Sequence, residues 1–310
     1  MEEHDSGIRD CIVVGGGAAG LSAALTLVRA RHSTLVIDAG RQSNLATAGI
    51  GGLLGHDGRP PAEFYAAGRG QLLAYPSAEL REAEIVRGVR EADGSFTVTL
   101  GDGRTERART VLLAPGMDYR YPQLPGMKER WGHSVFHCPF CHGWENRGRP
   151  MGVLASGAVG VHGALNLRGW SDQVTLLTNG GPLSDQQREQ VAAGGVGLDE
   201  RPIAGFDGPG AGLRAVAFVD GTELPIGALL VKTTLHQRSS LARDLGASLT
   251  EPDEMLSVEA IKVDAMFRTG VPGLYAAGDA ATSVPPSMAA AMASGYLAGA
   301  AAAVQLAVSD

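Results

Sequence analysis

The architecture of this chain follows from one stretch, residues 11–20, which read Cys11-Ile12-Val13-Val14-Gly15-Gly16-Gly17-Ala18-Ala19-Gly20. The apolar run from Arg9 to Val14 predicts a buried strand that ends in a Gly-x-Gly-x-x-Gly turn. The sequence from Leu21 to Ala30 is typical of a helix, and Ser33 to Asp38 predicts a second strand. Strand, glycine turn, helix and strand in this order predict a dinucleotide-binding module.

Each glycine of this turn has its own task in such a module. Gly15 allows the tight turn, Gly17 lets the backbone approach a pyrophosphate, and Gly20 lets the helix pack on the strand. The N-terminus of the helix presents unpaired N–H groups to the phosphates. Asp38, at the end of the second strand, is a candidate acceptor for ribose hydroxyls. Cys11 lies within the first strand and is interpreted as a small buried apolar residue.

A second strand, turn and helix begin at Gly152-Val153-Leu154, but this copy is degraded. The turn reads Ala155-Ser156-Gly157-Ala158-Val159-Gly160, so alanine stands at the position of the first glycine. The strand from Gln173 to Thr178 is followed by Asn179-Gly180-Gly181, without the arginine that an NADP 2′-phosphate requires. NAD(P)H is therefore a doubtful cofactor: either the module binds it weakly, or the module is retained as scaffold.

The C-terminal part combines an apolar strand with a long uncharged segment. The run from Thr269 to Asp279 predicts a strand that ends at Gly-Asp, where the carboxylate can accept a hydrogen bond from a polyol. No charged residue occurs from Ala280 to Ser309, which is long enough for a membrane span. The segment is mostly alanine and glycine rather than leucine, isoleucine, valine and phenylalanine, which favours a buried helix. The prolines of Val284-Pro285-Pro286-Ser287 are expected at its start.

Two of the three cysteines lie together in His137-Cys138-Pro139-Phe140-Cys141-His142-Gly143-Trp144-Glu145. The Cys-x-x-Cys spacing permits a disulfide that opens and closes, and a nearby imidazolium would lower the pKa of a thiol. A c-type haem attachment, a zinc site and an inert pair are alternatives, although zinc would need further soft ligands and Cys11 is the remaining thiol. We interpret the pair as a redox dithiol and predict no metal site.

Composition excludes several classes of function. The 310 residues carry a net charge of −7 without a basic stripe, which argues against a nucleic-acid partner. The N-terminus, Met1-Glu2-Glu3-His4-Asp5, is acidic, unlike the start of a signal peptide. We expect a cytoplasmic protein without a membrane partner, in which a close cysteine pair is catalytic rather than structural.

These features together resemble the low-molecular-weight thioredoxin-reductase class of flavoprotein disulfide reductases, over nearly the whole chain. The resemblance is carried by the glycine turn with Asp38, by Leu113-Ala114-Pro115-Gly116, by the central Cys-x-x-Cys and by the run from Thr269 to Asp279. It implies an α/β fold with two Rossmann-like dinucleotide-binding domains, FAD/NAD(P)-binding and thioredoxin reductase class II-like. The FAD-binding domain would be discontinuous, residues 1–119 plus 241–310, and residues 120–240 would form the NAD(P)-binding-like domain that carries the cysteines.

The resemblance also implies FAD as cofactor and a homodimer. Asp279 would bind the ribityl chain, and the last helix would direct its N-terminus at the flavin. The Gly-rich segment from Arg41 to Pro61 is expected to cover the cofactor. The residues expected to contact FAD are Gly15, Gly17, Ala18, Ala19, Gly20, Asp38, Ala114, Gly116, Gly278, Asp279, Ser287 and Met288.

The chain departs from thioredoxin reductases at two places. His142 stands directly after the second cysteine, where the reductases typically have aspartate, and the arginine pair for NADPH is missing. Cys138-Pro139-Phe140-Cys141-His142-Gly143-Trp144-Glu145 is instead similar to thioredoxin-reductase-like dithiol oxidases, which close the disulfide of holomycin- or gliotoxin-type natural products. This favours a small-molecule dithiol as substrate, with O2 as final acceptor, in antibiotic biosynthesis or self-protection.

By this resemblance, Cys138 would form the mixed disulfide with substrate and Cys141 would pass electrons to the flavin. His142 is the candidate base, with a capping or solvent-facing histidine as the alternative, and His137 is a second candidate. Phe140 and Trp144 are interpreted as packing residues or walls of the flavin pocket. Two other functions stay open: an NAD(P)H- or ferredoxin-dependent reductase of a thioredoxin-like protein, and a non-catalytic flavin-binding sensor.

Overall fold

The computed structural model describes residues 7–252, 258–281 and 286–308 of the chain. The acidic N-terminal residues 1–5 and the predicted helix start at Val284-Pro285 lie outside these ranges. The strands are β1 Ile8–Val14, β2 Thr34–Asp38, β3 Ala78–Glu82, β4 Ile85–Arg90, β5 Phe96–Leu100, β6 Thr105–Leu113, β7 Met117–Arg120, β8 Val135–Phe136, β9 Met151–Leu154, β10 Val174–Leu177, β11 Gly197–Asp199, β12 Ile203–Asp207, β13 Ala215–Phe218, β14 Glu223–Pro225, β15 Ala228–Val231, β16 Thr234–Gln237 and β17 Leu274–Ala276. The helices are α1 Ala18–Arg29, α2 Pro61–Leu73, α3 Pro139–Asn146, α4 Gly157–Leu167, α5 Asp185–Ala193, α6 Leu241–Asp244 and α7 Met288–Val308.

The chain divides into two compact units. The first unit comprises Met1–Leu45, Ala62–Tyr119 and Leu235–Asp310, and the second comprises Ala46–Pro61 and Arg120–Thr234. Each unit contains a strand, glycine turn, helix and strand in the order that the sequence predicts.

The predicted division differs from these units at one segment and one boundary. Residues 46–61 were expected in the FAD-binding domain as a cofactor cover, but they pack within the second unit. Gly51 lies directly against Cys141, and a Cβ added to it would stand 2.5 Å from the Cys141 carbonyl oxygen. Gly132 lies similarly close to Ala46. The return to the first unit occurs at residue 235 instead of 241.

A seven-stranded sheet forms the centre of the first unit, in the order β3-β2-β1-β6-β5-β4 with β17 paired to β6. Strands β3, β2, β1, β6 and β17 run parallel, whereas β5 runs antiparallel to both of its neighbours, β6 and β4. Val14 pairs with both Ile37 and Leu113, and Ala276 also pairs with Leu113. Four strands therefore end at one edge of the sheet, the place where parallel sheets bind ligands.

Helix α7 packs on α1 in the same unit. A Cβ added to Gly295 would lie 2.1 Å from the Ala19 carbonyl oxygen, and one added to Gly299 would lie 2.7 Å from that of Ala23. The helix is long and apolar enough to cross a membrane by length and composition alone. Its contacts with α1 are those of a core helix, and they require the small residues that made its composition unusual.

The second unit has two sheets. One contains five parallel strands in the order β11-β10-β9-β15-β8. The other is antiparallel, in the order β12-β13-β14. The cysteine helix α3 begins three residues after β8 ends, so the parallel sheet positions the Cys-x-x-Cys segment.

Candidate active site

The glycine turn of the first unit has the geometry of a pyrophosphate cradle. Gly15 has φ +100°, and its N–H donates to the Ile37 carbonyl at 2.8 Å. A Cβ added to Gly20 would lie 1.8 Å from the Gly15 carbonyl oxygen, so only glycine allows α1 to start this close to the strand. Among the described residues, the Gly17 N–H has no hydrogen-bond acceptor. With the first-turn N–H groups of Ala18 and Ala19 it forms an anion-binding helix start.

Asp38 lies beside this turn at the end of β2, where the sequence places it. Its buried carboxylate accepts hydrogen bonds from the Gln42 side-chain amide at 3.0 and 2.9 Å and from Arg69 at 2.6 Å. Gly16 lies in close contact with the Asp38 carboxylate, because a Cβ added to Gly16 would lie 2.6 Å from one carboxylate oxygen. Neither Gln42 nor Arg69 was predicted. They hold the carboxylate in one orientation beside the turn.

The ends of β6 and β17 bring the remaining predicted residues to the same edge of the sheet. The Ala114 N–H donates to the Val14 carbonyl at 2.8 Å, and Gly116 follows with φ +67°. Gly278 has φ +69°, and its N–H donates to the Ser294 hydroxyl at 2.9 Å. This turn places Asp279 directly after β17.

Asp279 has a partner that sequence reasoning missed. The Tyr119 phenol donates to one oxygen of Asp279 at 2.8 Å, and the other oxygen accepts no hydrogen bond from the described residues. Burial raises the pKa of the Asp279 carboxyl, while the Tyr119 hydrogen bond and the Arg238 charge oppose part of the rise. One carboxylate oxygen is thus held and the other is available to a ligand hydroxyl.

The start of α7 is held by two further residues that the sequence did not reveal. The Tyr65 phenol donates to the Asn44 side-chain carbonyl at 2.8 Å, and the Asn44 amide donates to the Met288 sulfur at 3.4 Å. Ser287, predicted to contact the cofactor, accepts from the Ala290 N–H at 3.1 Å and so caps the helix. Asn44 and Tyr65 carry no local motif, because their role depends on contacts more than 200 residues away.

The first unit fits FAD on three observations: the free N–H at Gly17, the close glycine packing of the turn and the unpaired oxygen of Asp279. Gly15, Gly17 and Gly20 would hold the pyrophosphate, and Asp279 would accept from the ribityl chain. Bound FAD supplies a two-electron acceptor.

In the second unit, Cys138 and Cys141 form a disulfide with a Cα–Cα distance of 5.3 Å. Cys138 is the N-cap of α3 in an extended conformation, and Pro139 opens the helix. Proline fits the first turn because it lacks the N–H that would be unpaired there. The remaining thiol, Cys11, is buried in β1, and burial raises its pKa to about 12. No group of three His, Cys, Asp or Glu side chains in the described ranges could hold a metal ion.

The histidines beside the disulfide are neutral rather than cationic. Burial, with His142 nearby, lowers the pKa of His137 to about 4, and this ring stacks on Trp131 at 5.9 Å. Burial also lowers the pKa of His142. The charge of Glu145 and the backbone at Cys138 and Gly132 raise this pKa and so offset part of the effect of burial. The expectation that an imidazolium lowers the thiol pKa is therefore wrong for this arrangement.

His142 is neither a helix cap nor a solvent-facing side chain. Its ring stacks on Phe136 at 5.5 Å, and both ring nitrogens are buried without a hydrogen bond from the described residues. A neutral imidazole can accept a proton, so its role as base stays a prediction. Phe140 and Trp144, interpreted as packing residues or walls of the flavin pocket, are 72% and 65% exposed, so they are not packing residues of the core.

The second nucleotide module has the same turn as the first, but the backbone N–H at the start of its helix already has a hydrogen-bond partner. The Ala155 N–H donates to the Leu177 carbonyl at 3.3 Å, as Gly15 does to Ile37 in the first unit. The Gly157 N–H, however, donates to the Pro182 carbonyl at 3.2 Å. Gly181 packs on Ser156, where an added Cβ would lie 2.6 Å from the Ser156 Cβ. Residues 178–182 thus lie over the start of α4.

Comparison with known proteins places this chain among the pyridine nucleotide-disulphide oxidoreductases. The pattern of the pyridine nucleotide-disulphide oxidoreductases matches residues 9–295. Thioredoxin reductase tcpT of Claviceps purpurea (strain 20.1) is 35% identical over 317 residues, covering 97% of this chain and 95% of that protein. The crystal structure of the oxidoreductase from Agrobacterium tumefaciens is 34% identical with a TM-score of 0.90, covering 98% of this chain and 100% of that one. The crystal structure of HlmI is 31% identical with a TM-score of 0.90, covering 98% and 95%.

The predicted α/β fold with two dinucleotide-binding domains and the predicted FAD cofactor are confirmed by these matches. The chain belongs to the pyridine nucleotide-disulphide oxidoreductase family, as a thioredoxin-reductase-like flavoprotein oxidoreductase that acts on sulfur groups.

Proposed function

We propose that this protein oxidises a small-molecule dithiol to an intramolecular disulfide, through Cys138, Cys141 and FAD, with O2 as final acceptor. One observation carries the proposal: the helix start of the second nucleotide module is closed. A reductase that takes its electrons from NAD(P)H must bind the pyrophosphate of that donor at the start of α4.

The two modules differ at the equivalent backbone group. The Gly17 N–H donates to no acceptor in the described part of the chain, whereas the Gly157 N–H donates to the Pro182 carbonyl. Thr178, at the position equivalent to Asp38, has a buried hydroxyl that makes no hydrogen bond with any residue of the described ranges. A pyrophosphate would have to displace residues 178–182 before it could reach the helix. The disulfide is then the entry point for electrons.

The proposed reaction balances as dithiol plus O2 giving cyclic disulfide plus H2O2. A substrate thiolate attacks the sulfur of Cys138, the Cys138–Cys141 bond breaks, and Cys141 leaves as a thiolate. The second substrate thiolate then attacks the substrate sulfur of the mixed disulfide, which releases the cyclic product and Cys138. The dithiol thereby loses two electrons and two protons, and His142 is the proposed acceptor of one proton. Cys138 and Cys141 are then both reduced, and their disulfide re-forms as the pair gives up two electrons. Bound FAD would supply the two-electron acceptor for this step, and O2 would be the final oxidant that is reduced to H2O2.

The test separates oxidase from reductase by the electron donor. Holoenzyme is mixed anaerobically with dithiothreitol, NADPH or NADH, and the visible flavin absorbance is followed. We expect dithiothreitol to bleach the flavin within seconds and neither nicotinamide to do so. In air, dithiothreitol should consume O2 and yield H2O2 in equal amounts.

Matched variants locate the chemistry. Cys138→Ser and Cys141→Ser should each abolish O2 consumption, whereas Cys11→Ser, which replaces a buried thiol in β1, should retain it. Rapid bleaching by NADPH, followed by reduction of oxidised thioredoxin, would establish the reductase function instead. Bleaching by none of the three donors would favour a flavin-binding sensor. Cytoplasmic location and a homodimer remain part of the proposal, and light scattering tests the latter.

A further inference from the structure

Two exposed aromatic rings flank the redox disulfide. Phe140 and Trp144 lie on α3 with 72% and 65% of their surface exposed, whereas Gly143 and Asn146 of the same helix are buried. At 100° per residue, Phe140 and Trp144 project within about 40° of each other, and Cys141 lies about 60° from Trp144. The rings of Phe140 and Trp144 and the side chain of Cys141 therefore share one face of α3.

Both rings are held in position by their neighbours. The Arg147 guanidinium lies over the Trp144 ring at 3.9 Å. Phe140 meets Trp170 edge to face at 5.3 Å and 83°. Trp170 in turn fills the space above Gly143, where an added Cβ would lie 2.8 Å from its ring. The outer faces of Phe140 and Trp144 are thus presented in a preset arrangement.

The size of this surface favours a small ligand. An aromatic side chain buries about 150–250 Å² in full, so two partly exposed rings offer roughly 200–350 Å². A stable protein partner needs about 800 Å² on each side. A flat ring carrying two thiols matches the size of this surface, and the disulfide lies on the same helix.

We propose that Phe140 and Trp144 form a stacking platform for an unsaturated ring in the substrate, so that the enzyme prefers dithiols built on a planar scaffold. The inference rests on the proposed dithiol oxidation and adds the class of substrate. Stacking on the rings holds the scaffold beside the disulfide, and the preference appears as a lower KM for planar than for flexible dithiols.

The test compares two dithiols that differ in the scaffold: ortho-xylylene dithiol, which has a flat ring, and dithiothreitol, which is flexible. The ratio of their kcat/KM values, from O2 consumption, is measured for wild type, Trp144→Ala and Phe140→Ala. We expect wild type to favour the ring dithiol and each alanine variant to lower the ratio about tenfold, as loss of one aromatic stack implies. Trp144→Phe, which keeps an aromatic face, should restore most of the ratio.

Val219→Ala is the matched control, because it removes another exposed apolar side chain of the second unit, one that follows β13 and lies outside α3. It should leave the ratio at the wild-type value. Circular dichroism and flavin content establish that each variant is folded. An unchanged ratio in folded Trp144→Ala and Phe140→Ala would overturn the platform while leaving dithiol oxidation intact.

A binding measurement keeps the platform testable even if no dithiol is oxidised. Calorimetry with ortho-xylylene diol, the oxygen analogue that cannot exchange with a disulfide, should give binding in wild type and about tenfold weaker binding in Trp144→Ala. Absence of binding in wild type overturns the inference. A second outcome also overturns it: the wild type oxidises reduced thioredoxin in preference to both small dithiols, and Trp144→Ala loses this preference. The two rings would then bind a protein partner.

Discussion

At the scale of single residues, the Tyr119 phenol determines how Asp279 meets a ligand. It donates to one carboxylate oxygen at 2.8 Å and leaves the other oxygen available. Burial raises the pKa of the Asp279 carboxyl, so the hydrogen bond also helps to keep the carboxylate ionised. Tyr119 is therefore a positioning residue for the proposed ribityl contact.

We expect Tyr119→Phe to weaken FAD binding about five- to tenfold, which corresponds to about 1–1.4 kcal/mol, the net effect of one ordinary hydrogen bond. The dissociation constant is measured by flavin fluorescence during titration of the apoprotein. Tyr275→Phe is the matched control, since it removes a buried phenol that donates to Gln305 on α7. Tyr275→Phe should lower the free energy of unfolding without weakening FAD binding. Equal losses of FAD affinity in both variants would contradict the assigned role of Tyr119.

The neutral state of His137 predicts a specific dependence of stability on pH. Burial lowers its pKa from 6.5 to about 4, so the unfolded chain takes up this proton at higher pH than the folded chain. The contribution of neutral His137 to the free energy of unfolding is therefore fully present above pH 6.5. It is lost as the pH falls towards 4. The loss amounts to about 3 kcal/mol at about 1.4 kcal/mol per pH unit.

Urea unfolding of wild type and His137→Gln at about pH 7 and about pH 4 measures this loss. The wild type should lose about 3 kcal/mol more than the variant between these conditions. His162→Gln, which replaces an exposed histidine on α4, should retain the wild-type pH dependence. A pH dependence in His137→Gln equal to that of wild type would show that His137 does not resist protonation.

At the scale of elements, the packing of α7 on α1 depends on glycines without room for a side chain. An added Cβ at Gly295 would stand 2.1 Å from a backbone oxygen, which cannot move aside as a flexible side chain would. The same two helices carry the predicted FAD contacts at their N-termini. Their separation should therefore affect both stability and cofactor retention.

Gly295→Ala is expected to lower the free energy of unfolding by about 2–3 kcal/mol through overpacking and to reduce the flavin retained on purification. Thermal unfolding and the ratio of flavin to protein absorbance measure the two effects. Gly70→Ala is the control, because Gly70 lies in α2 with nothing within 4 Å of an added Cβ. It should be neutral or stabilising by about 0.5 kcal/mol. A stable, fully yellow Gly295→Ala protein would show that the helices can separate without cost.

At the scale of the whole molecule, one local motif is used twice with different outcomes. In the first unit the helix start is open, because the Gly17 N–H has no acceptor among the residues that the structure describes and Gln42 and Arg69 hold the Asp38 carboxylate. In the second unit residues 178–182 fold back on the helix start. This asymmetry between the modules gives the proposed direction of electron flow, from dithiol to flavin.

The sequence alone was sufficient for the strands next to the two glycine turns, the turns themselves, the cysteine pair and the family, since each depends on residues close together in the chain. A Gly-x-Gly-x-x-Gly turn specifies backbone conformation locally, and Cys138 and Cys141 lie within one helical turn. The predicted elements accordingly agree with the structure to within a few residues.

Only the tertiary structure revealed the Tyr119–Asp279 pair, whose members are 160 residues apart, and the grouping of residues 46–61 with the cysteine helix. It likewise showed that His137 and His142 are neutral and that the Gly157 N–H is taken by Pro182. Burial and distant contacts determine whether a histidine is charged or an N–H is free, and both arise from packing between segments that no local pattern relates. The sequence by itself therefore determined which chemical groups this protein possesses, and the fold decided which of them are available to react.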